Sequence, residues 1–430
     1  MDSADQNTHD SNPAIMITNE RLPMSISPET LHTVARRVPA ESILPYPLQM
    51  GQTTYDDPFK TIIPAIHRGP DVIYSPGAWF EAGDAWVFRR EQDIRAIFMD
   101  TDHFSSKGIS PYPSLVGEHW GVTPVESDPP FHRGYRNVLT PLFTPQRIMA
   151  LDTQMRGYVR SFIEQFKDNG ECEVMRDLAA RFPITVFLEL FGLPLEEVDQ
   201  FMAWEFDLLH NADMATMGAA VRAVKERLTV AMNERRNQPT NDFISHIVNS
   251  RIDGKLLNDD EAFGICFNLY LGGLDTVTTN IGWQLRHLAN DLPLQERLRQ
   301  NPTLIPAAVE EMLRAYSTVA MFRTCTKDVV VGGVPIRVGE RVVVSTSIGS
   351  NDPDVFDNPT EVRLDRHQRH LGFGTGVHAC VGARLARREL VITLEEFLAA
   401  IPTFKIDPGA RILTHLGGVM QQDCLPLGWN

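Results

Sequence analysis

Cysteine is scarce: five residues in 430 (Cys172, Cys266, Cys325, Cys380, Cys424), an odd number, widely spaced and without a C-x-x-C pair. That speaks against a disulfide framework and for a reducing compartment, where a lone thiol is either inert core or carries chemistry. Long apolar runs are missing too. The most apolar stretch, residues 182–195, is broken by Pro183, Glu189 and Pro194, short of the ~20 residues a membrane-spanning helix needs. The opening MDSADQNTHDSNP has no basic region leading into an apolar run, so no signal peptide is visible and a cytoplasmic protein is expected. Positive charge is in deficit, with 40 Lys plus Arg against 55 Asp plus Glu and a net charge of −15. A protein whose main task is coating nucleic acid or anionic lipid is therefore excluded as a first reading. What is there is ordinary folded composition, 43% hydrophobic and 22% charged, without repeats or low-complexity tracts.

Residues 1 to about 45 are polar and then proline-punctuated (Pro39, Pro45), and read as a loosely ordered arm that ends by docking on the body. No interior linker follows, so 46–430 reads as one domain. Short apolar runs flanking Gly83-Asp84 predict a hairpin, and 91–100 a helix. From about 145 to 318 apolar residues recur at three and four, predicting helices over 148–167, 175–191, 195–210, 217–237, 259–290 and 304–316. Residues 329–345 read as strand, Gly332-Gly333 turn, strand. An irregular segment, 351–369, leads to a glycine-rich loop and a last helix over about 381–399. The expected architecture is mainly α with a smaller β part near each end.

The glycine-rich loop is Phe373-Gly374-Thr375-Gly376-Val377-His378-Ala379-Cys380-Val381-Gly382, directly before the amphipathic ARLARRELVITLEEFL. A cysteine at the mouth of a helix meets free backbone N–H groups and the positive dipole end, which favour thiolate, the form a soft metal centre needs. Gly374, Gly376 and Gly382 let the backbone fold tightly around the sulfur and lie flat against a planar ligand. Phe373 supplies an apolar wall, and His378 a ring N–H for an anionic group. Other readings compete at this point. One is a buried structural cysteine in a turn. A second is a degenerate dinucleotide fingerprint, Gly374-x-Gly376-x-x-Ala379, although LDRHQRHL before it is no strand. A third is a zinc site from His367, His370, His378 and Cys380, without a C-x-x-C anchor.

At every fixed position the loop resembles the haem-thiolate signature of the cytochrome P-450 family. The resemblance implies the cytochrome P-450 fold, a long central helix over a buried haem b, and Cys380 as the proximal axial ligand of the iron. Supporting stretches follow in family order. Glu311 and Arg314 stand three apart on one helix face; alone they would be a solvated pair, but in this place they resemble the family's structural Glu-x-x-Arg element. The family's usual third partner, an Arg in Pro-x-Arg-Phe, is replaced in Pro359-Thr360-Glu361-Val362, leaving Arg363 or Arg366 as candidates.

The helix over 259–290, roughly 45 Å long at 1.5 Å per residue, breaks the rules at its centre. Gly272-Gly273 cost about 1 kcal/mol each relative to alanine, and Asp275-Thr276 put an acid and a hydroxyl in an apolar stretch. Close helix packing over the glycines, with Thr276 bonding back one turn, would account for this blandly. The functional alternative is a helix deformed around a small ligand, with two groups to deliver protons. LGGLDTVTT resembles the family's oxygen-binding groove, which implies Gly272 against the haem and Thr276 and Asp275 as the catalytic pair. The basic residues of DPPFHRGYR, alone a solvated face, and MFRT resemble haem-edge segments, implying His132, Arg136 and Arg323, with His378, as propionate partners. Arg133 and Arg387 would then form a basic patch on the proximal face for an acidic electron donor.

With HFSS at 103–106, the matching motifs cover nearly the whole chain from about residue 70. LGGLDTV, LARREL and the C-terminal LPL are most similar to the soluble bacterial camphor-hydroxylase type. That implies a haem-thiolate monooxygenase using O2 and fed by a [2Fe–2S] ferredoxin with its FAD ferredoxin reductase, since this chain has no flavin or nicotinamide fingerprint. Alignment with that relative implies a substrate pocket of Trp120, Asn268, Leu271, Val319, Met321 and Val419. Trp120 stands where the relative has a tyrosine that holds camphor's ketone, so the expected substrate is a different small, mostly apolar molecule, terpenoid or norisoprenoid-like. Two rivals remain at this stage: a peroxygenase using hydrogen peroxide directly, against which the acid–alcohol pair speaks, and a non-catalytic haem-binding protein, which has no need of that pair.

Overall fold

The computed structural model describes residues 36–79, 83–211 and 213–430. Most of the expected N-terminal arm, residues 1–35, and the turn of the first hairpin, 80–82, lie outside the described residues. Residues 36–45 sit on the body: Arg37 pairs with both oxygens of Glu340 at 2.6 and 2.8 Å and lies over the Trp86 ring, and Ile43 bridges to Tyr74.

The long helix Asp259–Asn290 organises the molecule. Its start is fixed by a capping box: Asn258 Oδ1 accepts from the Glu261 N–H and Glu261 accepts from the Asn258 N–H, both at 2.9 Å. Asp259, Asp260 and Glu261 place negative charge at the positive end of the dipole. Apolar residues occupy every side, so it is buried along most of its length. Two of its glycines are points of close approach. A Cβ at Gly264 would run into the Gly121 carbonyl, and one at Gly282 would lie 2.6 Å from Met175 Sδ and 2.7 Å from Gln422 Nε2. Gly272 and Gly273 are unlike them, because an added Cβ there meets nothing within 4 Å. Close packing therefore does not explain this pair. Nor is the helix broken there; it runs on as α-helix, and room is made by absent side chains.

The expected helices appear as Asp152–Ile163, Arg181–Phe191, Val198–Leu209, Met214–Asn237 and Ile305–Ala315, with small differences. The stretch 148–167 is divided at Leu151, and Met175–Ala179 is a π turn rather than the start of the next α-helix. No helix among the described residues is long and apolar enough to cross a membrane.

The β parts expected near each end are joined. One five-stranded sheet runs in the order Val72–Trp79, Gly83–Phe88, Arg341–Ser345, Ala320–Cys325, Phe104–Ser105. Arg341–Ser345 pairs parallel with Gly83–Phe88 and antiparallel with Ala320–Cys325. The hairpin Val329–Val331/Val334–Ile336 turns at Gly332 and Gly333, both at positive φ, as a tight two-residue turn requires. Gly83-Asp84 belong to the second strand of the first hairpin, not to its turn.

The last helix, Ala383–Ala400, packs against Asp152–Ile163 and Ile305–Ala315. Ion pairs fasten it to the first of these: Arg388 with Asp152, Arg156 with Glu395 at 2.5 Å and Glu396 at 2.7 Å, and Arg160 with Glu396 at 2.6 Å.

Candidate functional site

The cysteine loop folds back on itself. The N–H of Gly374 donates to Leu371 O at 2.7 Å, that of Ala379 to Gly376 O at 3.2 Å, and that of Cys380 to Phe373 O at 2.9 Å. Gly376 is required twice over, by φ of +73° and because a Cβ would lie 2.9 Å from the Phe98 carbonyl oxygen. Phe373 is covered by the Arg387 guanidinium, 4.3 Å above its ring. A Cβ at Gly382 would only reach the Phe143 ring at 3.8 Å and the Cys380 sulfur at 4.0 Å, so its bareness keeps the approach to the sulfur open.

Burial pushes the Cys380 thiol up, outweighing the N–H groups of Gly382 and Ala383 and the charges of Arg136 and Arg387, which pull it down. The mouth of the helix thus pulls toward thiolate as the sequence leads one to expect, but burial outweighs that pull. A metal cation against the sulfur reverses that balance.

Cys380 lies deep within the protein, and its accessible surface opens onto an internal cavity of ≈ 480 Å³. His132, Arg136, Arg323 and His378 line the same cavity. Arg323 is fully buried; Nη1 donates to Phe322 O at 2.7 Å while Nη2 has no partner, and burial lowers its pKa to about 10. His132 is buried with Nε2 unpartnered and its pKa lowered, first by burial and then by Arg136. Burial likewise lowers Arg136. His378, edge-on to His132 at 4.5 Å, is driven down to about 3 by burial, Arg323, His132 and Arg136. Four basic groups facing one space at each other's expense are costly unless an anion joins them. A flat group with a soft metal centre and two carboxylates fits this set: sulfur for the metal, the unpartnered Arg323 Nη2 and His132 Nε2 together with Arg136 and His378 for the carboxylates, and bare backbone at Gly272 and Gly382. Haem b is such a group.

The motifs around the cavity are tied together. Asp128 of DPP accepts from Ser105 Oγ at 2.5 Å and from the Ser106 N–H at 2.9 Å, and Ser106 Oγ lies 3.2 Å from His378 Nε2. The zinc alternative fails, because His370 Nε2 is 3.0 Å from Glu310 Oε1 and His367 is exposed. Among the described residues the three-ligand grouping is instead Glu205, His210 and Asp275.

From the central helix, Gly272, Asp275 and Thr276 reach the same cavity. Thr276 Oγ1 donates to Gly272 O at 2.9 Å, so the bond one turn back is present. Asp275 is fully buried, with Oδ1 3.0 Å from His210 Nε2 and Oδ2 without a partner. His210 and Glu205 were not visible as site residues in the sequence, 65 and 70 positions away from Asp275 with no motif around them.

Glu311 and Arg314 are buried, not solvated. Arg314 donates Nε and Nη2 to the two Glu311 oxygens, both at 2.9 Å, and its remaining bonds go to the carbonyls of Ser350, Pro359 and Glu361. Both candidate third partners are used: the Arg366 side chain reaches Glu311 Oε1 at 2.9 Å and the Arg363 backbone N–H reaches it at 3.1 Å. Arg387 corrects another expectation. Its guanidinium is paired with Glu310 at 2.6 and 2.8 Å, which takes its charge out of a basic surface patch; Arg133 is exposed.

Asn268, Leu271, Val319, Met321 and Val419 all line the cavity. Trp120 does not. Its ring packs edge-on against Phe263 and Phe267, and its Nε1 donates to Glu118 at 2.6 Å, because there a large indole finds both aromatic cover and an acceptor. Tyr112 borders the cavity instead, buried and edge-on to Phe267. The surrounding Ser110-Pro111-Tyr112-Pro113 carries no signal that would have singled it out.

The sequence pattern described as cytochrome P450 matches residues 186–414. The chain is 39% identical over 383 residues to the probable cytochrome P450 127A1 of Sinorhizobium fredii, covering 88% of this chain and 92% of that protein. To the erythromycin C-12 hydroxylase of Saccharopolyspora erythraea it is 33% identical over 359 residues, 78% of this chain and 87% of that one. Among solved structures, cytochrome P450 CYP101C1 matches with a TM-score of 0.82 at 30% identity, covering 92% of this chain and 99% of that chain.

Proposed function

The chain belongs to the cytochrome P450 family of haem b monooxygenases, and on that footing we propose that it hydroxylates a small, mostly apolar, terpenoid- or norisoprenoid-like substrate with electrons from a [2Fe–2S] ferredoxin and its FAD reductase. The observation that carries this reading is the convergence on one cavity of the Cys380 thiol, the four basic groups and the Asp275–Thr276 pair. Bound haem b supplies the activation of O2 that lets one oxygen atom enter a C–H bond.

The chain's own residues do the rest. Cys380 Sγ would hold the iron, oriented by the N–H groups of Gly382 and Ala383. Arg136, Arg323, His132 and His378 would take the propionates, which gives the unpartnered Nη2 and Nε2 their acceptors. Gly272 and Gly374 would leave room beside the ring, and Phe373 would shield the sulfur. The Thr276 hydroxyl, resting on the Gly272 carbonyl, turns from it to hand a proton into the cavity, and Asp275 is the acid next to it in line. Leu271, Val319, Met321 and Val419 exclude water and favour an apolar substrate, while Asn268 and Tyr112 offer it hydrogen bonds. The acid–alcohol pair supports a monooxygenase over a peroxygenase or a carrier, neither of which uses it. The resemblance of LGGLDTV, LARREL and LPL to the camphor-hydroxylase type supports a ferredoxin as donor, and exposed Arg133 gives an acidic donor one cation to meet.

The test is the absorption spectrum of the dithionite-reduced protein under carbon monoxide. A red-shifted Soret band establishes thiolate ligation, and its loss in Cys380→Ala assigns the ligand. Screening monoterpenes and ionones for a change of haem spin state then tests the substrate class; no response from any of them overturns it. An unchanged rate of reduction by ferredoxin in Arg133→Glu counts against the docking role.

A further inference from the structure

Asp275 can deliver a second proton only if something recharges it, and it is sealed from solvent. Its neighbours are Glu205, at the heart of helix Val198–Leu209, and His210, just past the end of that helix. One nitrogen or oxygen atom of each of the three side chains lies within 4.8 Å of those of the other two. His210 Nε2 is 3.0 Å from Asp275 Oδ1, with the two side chains 5% and 1% exposed. We propose that His210 recharges Asp275 across this hydrogen bond, with Glu205 carrying a proton of its own so that the buried group of three stays electrically neutral. The inference rests on the monooxygenase reading of the cavity.

The chemistry follows from charge. Two carboxylates and one imidazole in a dry site approach neutrality when Glu205 is protonated and a single further proton is shared between Asp275 and His210. Burial and the Asp275 charge both push Glu205 up, in keeping with this state. In the transfer, the His210 Nε2–H bond breaks and an Asp275 Oδ1–H bond forms, an ion pair becoming two neutral groups with no change in net charge. Asp275 then gives the proton onward, and His210 regains one from solvent. Other titratable groups face these three. Tyr112 faces Asp275, and Tyr270 faces Glu205 with its hydroxyl already committed to Phe201 O at 2.7 Å. His415, itself beside Asp423, faces His210 with ring centres 6.1 Å apart. The tyrosines are raised and act as fixed neutral dipoles, whereas His415 is half-buried and marks the outer side of His210. Glu205 and His210 are positioning residues that act through Asp275.

Two readouts test this on the holoenzyme. Infrared titration of the resting protein, without turnover, should show at neutral pH the carbonyl stretch of one protonated carboxyl, moved by D2O and removed by Glu205→Gln. In steady state, His210→Gln keeps a side-chain amide near the acid but cannot carry a proton. Product formed per electron should fall about 10-fold or more, with the electrons appearing as hydrogen peroxide and the imidazole limb of the pH profile gone. A band that persists in Glu205→Gln, or a wild-type pH profile and coupling in His210→Gln, overturns the inference. If His210→Gln fails to fold, judged by its thermal midpoint and carbon monoxide spectrum, the infrared arm decides. Failure of the monooxygenase reading is seen separately, as absence of the thiolate spectrum from the wild-type protein.

Discussion

Replacing Glu311 by Gln isolates the value of the buried ionic network behind the cysteine loop. Glu311 Oε1 accepts from Arg314, Arg366 and the Arg363 N–H, and Oε2 from Arg314 again. Glu311 is 5% exposed in its side chain, Arg314 1% and Arg366 5%. Glutamine keeps the volume, removes the one negative charge between two buried guanidinium groups, and turns an N–H₂ toward a donor. The carbonyls of Ser350, Pro359 and Glu361 still satisfy Arg314 as acceptors, but they do not neutralise it. Breaking such a pair costs about 3–5 kcal/mol. With an unfolding entropy of about 2.1 cal/mol/K per residue, that lowers the midpoint of a chain this long by about 3–6 °C. The assay is thermal unfolding at fixed haem saturation, repeated at high salt, which should leave the loss intact because buried charges are little screened. Asp328→Asn, which breaks the exposed Arg337–Asp328 pair, should not move the midpoint. A loss below about 1 kcal/mol for Glu311→Gln, the range of exposed pairs, or one erased by salt, would refute the reasoning.

Three further outcomes are expected. Arg323→Met should stabilise the haem-free protein, since an unpartnered buried cation is removed, yet speed haem loss; thermal unfolding of apoprotein and haem transfer to apomyoglobin read the opposite signs. Tyr112→Phe should weaken binding of a ketone-bearing ligand by about 3- to 10-fold, one hydrogen bond's worth, whereas Trp120→Phe should not, as measured by spin-state titration. His287, packed against Tyr316, has its pKa lowered to about 4 by burial. Below its ordinary value near 6.5 the unfolded chain binds the proton first, so stability is present above that pH and lost as pH falls toward 4, by up to about 3 kcal/mol. Urea unfolding across that window should show the loss, and His287→Gln should flatten it.

Much of this site is legible in the sequence because its chemistry is local. Cysteine, glycines and the start of a helix fall within ten residues, and the bounds of the central helix follow from apolar periodicity over 259–290. The pairing of Arg341–Ser345 with Gly83–Phe88 is not local, so the two β parts read as separate until the chain is folded. Trp120 and Tyr112 exchange roles because which aromatic turns inward depends on packing against Phe263 and Phe267. The state of Cys380 is a contest between burial and nearby N–H groups, and only the former depends on the whole molecule. His210 is invisible as a partner of Asp275 for the same reason as Glu310 for Arg387: a single contact between distant elements leaves no pattern.

The glycines of the central helix have a mechanical meaning. Gly264 and Gly282 admit no methyl group, so neighbouring backbone, Met175 and Gln422 pin the helix at two stations about 27 Å apart at 1.5 Å per residue. Gly272 and Gly273 fall near mid-span, on the cavity, where no protein atom would come within 4 Å of an added Cβ. A beam held rigidly near both ends and slender in the middle bends at the middle. A substrate pressing on Leu271 would therefore load the helix beside the Gly272 carbonyl and the Thr276 hydroxyl that rests on it, tying the fit of a guest molecule to the position of one proton donor.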